Sequence, residues 1–113
     1  MKAVVVCSPY SAETRAGVGL NVLYARACLT DSLSRGEAPY ASHLLYTQVL
    51  DDRDPVGRFQ GAEAGLLWLG RADVVVLYVD RGISPGMKAE HRAANDCGIG
   101  VETRRLGAAW AKP

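Results

Sequence analysis

Asp73-Val74-Val75-Val76-Leu77-Tyr78-Val79, followed by Asp80-Arg81-Gly82-Ile83-Ser84-Pro85-Gly86-Met87 and then Lys88-Ala89-Glu90, is the stretch that decides how this chain folds. Val74 to Leu77 is an unbroken β-branched and aliphatic run, without the alternation a half-exposed strand shows. Such a run suits a central strand covered on both faces. The pattern predicts a strand over 73–79, a glycine- and turn-rich loop over 80–87, and a helix over 88–96 ending at Gly98.

Working outward, Lys2 to Cys7 repeats the signal with Val4, Val5 and Val6, and stops at the turn-forming cluster Ser8-Pro9-Tyr10-Ser11. From Ala16 to Ser34, Val22, Ala25, Leu29 and Leu33 recur at helical spacing, with Gly36 placed where a left-handed cap ends a helix. A short strand is expected over Ala38–Ala41, and the polar region Gln48–Arg58 is expected to stay out of the core. Phe59 to Gly70 reads as a helix, with Gly61 and Gly65 counting against it. Ile99 to Glu102 reads as the last strand. Strands alternating with helices imply parallel pairing and right-handed crossovers. The expected class is α/β, a small Rossmann/flavodoxin-like three-layer sandwich with a parallel sheet of about four to five strands. Ligands in such sheets bind at the carboxyl ends of the strands, here the loops Ser8–Arg15 and Asp80–Met87.

Composition narrows the function classes. The chain has 113 residues, 49% of them hydrophobic, and 13 basic against 12 acidic side chains for a net charge of +1. A chain of this length buries roughly two thirds of its unfolded surface, so residues 1–113 are expected to form one domain. Balanced charge gives no global field for a nucleic acid polymer or an anionic membrane. No apolar run approaches the roughly 20 residues a membrane helix needs, and the apolar run after Lys2 is too short for a signal peptide. A cytoplasmic location is expected. Cys7, Cys28 and Cys97 lack paired spacing and are expected as buried free thiols. His43 and His91 have no metal-binding spacing, no P-loop is present, and Gly17-Val18-Gly19 is too incomplete for a dinucleotide fingerprint, so no metal or cofactor is expected.

The two strand-end loops hold the candidate chemistry. Glycines ahead of a helix let backbone N–H groups converge into an anion site, which the Ser84 hydroxyl would complete. Glu90, one turn into that helix, is a candidate nucleophile toward an electrophilic carbon. Tyr10 and Ser8, on a neighbouring strand end, would point at the same cleft, the tyrosine orienting the carboxylate. The competing reading makes Ser84 a helix cap and Glu90 a solvated surface residue.

Cys7-Ser8-Pro9-Tyr10-Ser11, Arg35-Gly36-Glu37-Ala38-Pro39, Ser42-His43-Leu44, Asp51-Asp52, Arg58 and Gly82-Ile83-Ser84-Pro85-Gly86-Met87 with Glu90 resemble, in this order, small bacterial and phage proteins related to the nucleoside 2-deoxyribosyltransferases. The resemblance spans nearly the whole chain. It implies N-glycosidic chemistry: Glu90 attacks the anomeric carbon, the base leaves, and water or another base resolves the glycosyl-enzyme, as in a retaining glycosidase. Tyr10 would support Glu90, and Asp80, Asp52 or Glu63 would assist the leaving base, with nothing in the sequence choosing among them.

In that superfamily the transferases carry an acidic residue six positions before the nucleophile. The related nucleoside 5′-monophosphate N-glycosidases carry serine there and glycine two positions later. Ser84 and Gly86 occupy those positions, so the resemblance implies a 5′-phosphorylated (deoxy)nucleotide ahead of a free nucleoside. Met87 belongs to the same segment; His43, Asp52 and Arg58 are candidate contacts to base or phosphate. Ser8-Pro9-Tyr10 departs from the Gly-Ser-Ile-Arg loop of the monophosphate glycosidases, and the tail Leu106–Pro113 has no Asn-x-Met-like signature. A small sheet with open edges is expected to self-associate as a homodimer or larger homo-oligomer. The alternatives are a non-catalytic nucleotide-binding or sensor module of the same fold, and a partner-binding protein acting through Tyr46, Trp68 and Trp110.

Overall fold

The computed structural model describes residues 1–111 of the chain; Lys112 and Pro113, the end of the expected tail, lie outside the described residues. Strand β1 (Ala3–Cys7) leads to helix α1 (Arg15–Ser34) and strand β2 (Ala38–Tyr40). A short helix α2 (Ser42–Leu45) and a 3-10 turn (Tyr46–Gln48) precede helix α3 (Pro55–Leu69). Strand β3 (Val74–Tyr78), helix α4 (Pro85–Asp96), strand β4 (Gly100–Arg104) and a 3-10 turn (Ala108–Ala111) complete the order.

The four strands form one parallel sheet in the order β2-β1-β3-β4, with Val5 beside Val75 and Tyr40, and Val75 beside Val101. The α/β sandwich predicted from the valine runs is the one found. Both β1 and β3 are central, and Val6, Val75 and Val76 are fully buried because helices cover both faces. On one face Val4, Val6 and Val76 pack with Tyr24, Cys28 and Tyr78, against Leu106 and Trp110. On the other, Val5, Cys7, Val75 and Leu77 pack with Leu69, Met87 and Ala94 from α3 and α4. Parallel strands need crossover connections, and these switch faces at the β1/β3 boundary, which opens a crevice at the strand ends.

Several boundaries differ from the sequence reading for identifiable reasons. α3 begins at Pro55 rather than Phe59, since Asp54 accepts the Val56 N–H and proline suits the first helical turn. α4 begins at Pro85 rather than Lys88, because Ser84 caps it through the Met87 N–H. α1 buries Asn21, Tyr24, Ala25, Cys28 and Ser32, a stripe rotated from the expected one, and leaves Leu33 60% exposed. That stripe tolerates polar side chains because each is paired: Asn21 with Tyr10 and Arg81, Ser32 with Glu37, Tyr24 with Asp80. Gly36 adopts φ +78, the left-handed conformation expected after α1. Cys7 and Cys28 are buried free thiols, whereas Cys97 is exposed, correcting the expectation for the third. Among the described residues, no helix is long and apolar enough to cross a membrane.

Candidate active site

The crevice is a cavity of about 410 Å³ at the carboxyl end of β1, walled by the Ser8–Ser11 loop, α2, α3 and the first turns of α4. Its α3 wall follows from glycine spacing. Gly57, Gly61 and Gly65 recur every fourth residue and present one bare helix face. The segment 42–51 lies close along that face: a Cβ on Gly65 would stand 2.8 Å from Ser42 Oγ, and one on Gly57 3.0 Å from the Asp51 carbonyl oxygen. The glycines that weakened the helix reading are what bring His43 and Tyr46 to the cavity.

Ser8, Tyr10, His43, Asp52, Arg58, Ser84, Gly86, Met87 and Glu90 all line this space. Asp80 does not, and its candidacy as the group assisting the leaving base is corrected. Its carboxylate accepts hydrogen bonds from Tyr24 Oη at 2.5 Å and from the N–H groups of Leu106 at 2.8 Å and Gly107 at 2.9 Å. Burial alone would raise this carboxyl, but those donors outweigh it and hold it below its ordinary value. Asp80 therefore ties the segment after β4 to α1. Glu63 is exposed on α3 and is not part of the cavity lining, which leaves Asp52 as the cavity's candidate for assisting the leaving base. Asp52 accepts a 2.9 Å hydrogen bond from Ser11 Oγ, joining the loops on two sides of the opening.

Glu90 is half-buried, and burial pushes its carboxyl up to about 7, against a smaller opposing pull from the Cys7 thiol. Cys7 ends β1 as a buried thiol. Tyr10 lines the same cavity as Glu90, and its backbone carbonyl accepts Asn21 Nδ2 at 2.9 Å. Ser8, 5% exposed, places Oγ 2.7 Å from His43 Nε2. Burial holds His43 down to about 4, so the imidazole is neutral near pH 7.

At the mouth of α4, Ser84 Oγ accepts the Met87 N–H at 3.2 Å, while the Met87 sulfur receives the Ser84 N–H at 3.4 Å. The capping role weighed against the functional one is therefore real, and the Ser84 hydroxyl hydrogen remains available to donate. Met87 is fully buried and shapes the floor through packing. Of the arginines, Arg58 lines the cavity, whereas Arg81 donates to Asn21 Oδ1 and lies over the Trp110 ring. Of the three aromatics weighed as a partner surface, Tyr46 is on the cavity wall, Trp68 flanks Tyr40, and Trp110 packs edge-on against Tyr24. Ser42, Tyr46, Thr47 and Leu50 also line the cavity and were not singled out for the site; the four-residue glycine spacing was the one signal that pointed to the wall holding them.

A cavity that combines a carboxyl, serine hydroxyls, a neutral imidazole and a helix N-terminus offers a nucleophile, hydrogen-bond partners for a polar ligand, and a place for an anion. No curated protein matches the chain. A solved structure of a 2-deoxyribosyltransferase from the psychrotolerant bacterium Bacillus psychrosaccharolyticus, described as a biocatalyst for synthesis of antiviral and antitumoral nucleosides, is similar over 94% of this chain and 74% of its own. The TM-score is 0.65 and the sequence identity 17%. That likeness concerns the fold, a parallel α/β sandwich. The family model described as a domain of unknown function, DUF7768, matches residues 2–104, and the chain belongs to that family.

Proposed function

We propose that this protein cleaves or transfers at the N-glycosidic bond of a (deoxy)nucleoside 5′-monophosphate or (deoxy)nucleoside, with Glu90 as nucleophile. The observation that carries the reading is the placement of a half-buried carboxyl, raised to about 7, on the wall of a nucleotide-sized cavity at the strand ends. The fold shared with a 2-deoxyribosyltransferase supports it. In the first step the Glu90 carboxylate bonds to the anomeric carbon, the C–N bond breaks, and its electron pair leaves with the base. Asp52 is the cavity carboxylate placed to hold and orient the leaving base, which takes its proton from solvent, and Tyr10 and Arg58 flank the same space. The α4 N-terminus, with Ser84 and Gly86, suits a 5′-phosphate, because the helix dipole and a serine donor favour an anion where a carboxylate would repel it.

Self-association is part of the reading. Val56 (74%), Phe59 (66%) and Leu67 (58%) are exposed on α3, a helix that also walls the cavity. A pool of small nucleotides as substrate fits a cytoplasmic protein.

The test is incubation with each ribo- and deoxyribonucleoside, with and without a 5′-phosphate, followed by chromatography for free base. Release that disappears in Glu90→Gln supports the reading and names the substrate. Tight nucleotide binding with no release from any substrate overturns it in favour of a sensor module.

A further inference from the structure

Resting on the glycosyl-enzyme reading, the cavity holds a second chemical device that bears on hydrolysis versus transfer. We propose that Ser8 and His43, joined Oγ to Nε2 across 2.7 Å on the cavity wall, form the proton relay that activates water against the glycosyl-Glu90 ester, making the protein a hydrolase.

The pair is built from two separate parts of the chain. Ser8 follows Cys7 at the end of β1 and lines the same cavity as Glu90, so its hydroxyl belongs to the strand end that the reacting ester faces. His43 arrives from α2, which lies against α3 where Gly65 faces Ser42, while Gly61 and Gly57 face Tyr46, Leu50 and Asp51 further along the same segment; Thr47 Oγ1 donates to the His43 carbonyl at 2.7 Å. A buried hydroxyl needs a partner, but a backbone carbonyl would serve for that alone. An imidazole adds the capacity to take a proton.

The direction of transfer follows from the surroundings of His43. Among the described residues, Ser8 is the one side chain hydrogen-bonded to its ring, and no carboxylate stabilises an imidazolium. The ring is therefore neutral in the resting site and has no proton to spare for a leaving base. It is fitted to the second half-reaction, where a proton must be removed. Water oxygen bonds to the anomeric carbon, the carbon–Glu90 oxygen bond breaks, and its electron pair returns to the carboxylate. With the ring hydrogen on Nδ1, Nε2 accepts from Ser8: the water proton passes to Ser8 Oγ while the Ser8 proton passes to His43 Nε2, and the imidazolium, disfavoured by burial, passes it on to solvent at once. The products are the free sugar or sugar phosphate and regenerated Glu90.

His43→Gln isolates this role, since glutamine still hydrogen-bonds Ser8 but accepts no proton; Ser8→Ala breaks the relay at its other end. With the nucleotide that wild type turns over, each variant should release about one equivalent of base per site in a rapid burst. Turnover then falls by roughly 10²–10⁴-fold, and the sugar mass accumulates on Glu90 in acid-quenched samples. Azide, a nucleophile with no proton to lose, should restore turnover. Unchanged turnover, or slowed base release without burst or adduct, overturns the relay while leaving the Glu90 reading intact. A wild type that releases no base from any nucleoside or nucleotide overturns both.

Discussion

Tyr24 Oη donates a 2.5 Å hydrogen bond to Asp80 Oδ1, and the Asp80 N–H returns a 2.9 Å hydrogen bond to the same tyrosine oxygen. The carboxylate also receives the Leu106 and Gly107 N–H groups, so one side chain joins the end of β3, helix α1 and the segment after β4. This closes the face of the sheet opposite Glu90. Removing it strands three donors in a partly buried setting. Asp80→Ala is expected to cost about 3 kcal/mol in urea unfolding, with base release per folded molecule unchanged. A loss of turnover near a hundredfold at unchanged stability would return Asp80 to the chemistry.

Glu90 links activity and stability with opposite signs. As a nucleophile it must be ionised, so base release should rise with pH through about 7, the value to which burial has pushed its carboxyl. Folding favours the protonated form, because the folded-state value lies above the ordinary 4.5. Its stabilising contribution is complete below pH 4.5 and is lost as pH rises through about 7. Glu90→Gln should therefore lack base release while exceeding wild type in stability at pH 8 by up to about 3 kcal/mol. Paired activity and urea titrations from pH 5 to 9 check both; a pH-independent stability difference would show that the carboxyl is not held up by burial.

The glycine face of α3 makes a prediction that differs between neighbours. At Gly65 an added methyl would meet Ser42 at 2.8 Å from Oγ and 3.0 Å from Cβ, so α2 must shift and carry His43 away from Ser8. Gly65→Ala is expected to destabilise by roughly 1–3 kcal/mol and to weaken nucleotide binding. At Gly61 the nearest atoms, Leu50 Cδ1 and Tyr46 Cβ, lie at 3.5 and 3.7 Å, ordinary contact distances. There the helix gains by up to about 1 kcal/mol from alanine, and Gly61→Ala should melt higher than wild type. Equal effects at both positions would mean that α2 is not seated on this face.

The valine runs of β1 and β3 were legible because a strand buried on both faces leaves no alternation to misread. The start of α3 was missed although Asp54-Pro55 is a cap followed by a first-turn proline, and the start of α4 was missed at Ser84-Pro85 for the same reason. α2 was illegible in principle, since four residues are too few to show a period. The cavity residues Glu90, Ser84, Gly86 and His43 lay where strand-end loops and family-like motifs had pointed. Asp80 was misassigned because position at a strand end does not say which face of the sheet a side chain serves. The pairing of Ser8 with His43 depends on how α2 sits on α3, and the glycines that seat it had read as a weakness.

Arg104 and Glu37 form the most buried ion pair among the described residues, with Nη1–Oε1 and Nη2–Oε2 both 2.8 Å and side chains 8% and 14% exposed. It fastens the end of β4 to the turn between α1 and β2, spanning the sheet edge to edge. The Arg104 guanidinium holds the Glu37 carboxyl down to about 2, well under its ordinary 4.5. The stability this supplies is therefore present above pH 4.5 and lost as pH falls toward about 2. Arg104→Met leaves the partly buried Glu37 without its cation and is expected to cost roughly 1–3 kcal/mol at neutral pH. The double variant Arg104→Met with Glu37→Leu should regain much of that, because two apolar side chains carry no desolvation cost. In acid titrations followed by circular dichroism the double variant should lose less stability than wild type between pH 4.5 and pH 2. If the two acid profiles coincide, the acid sensitivity of the fold resides in another carboxylate.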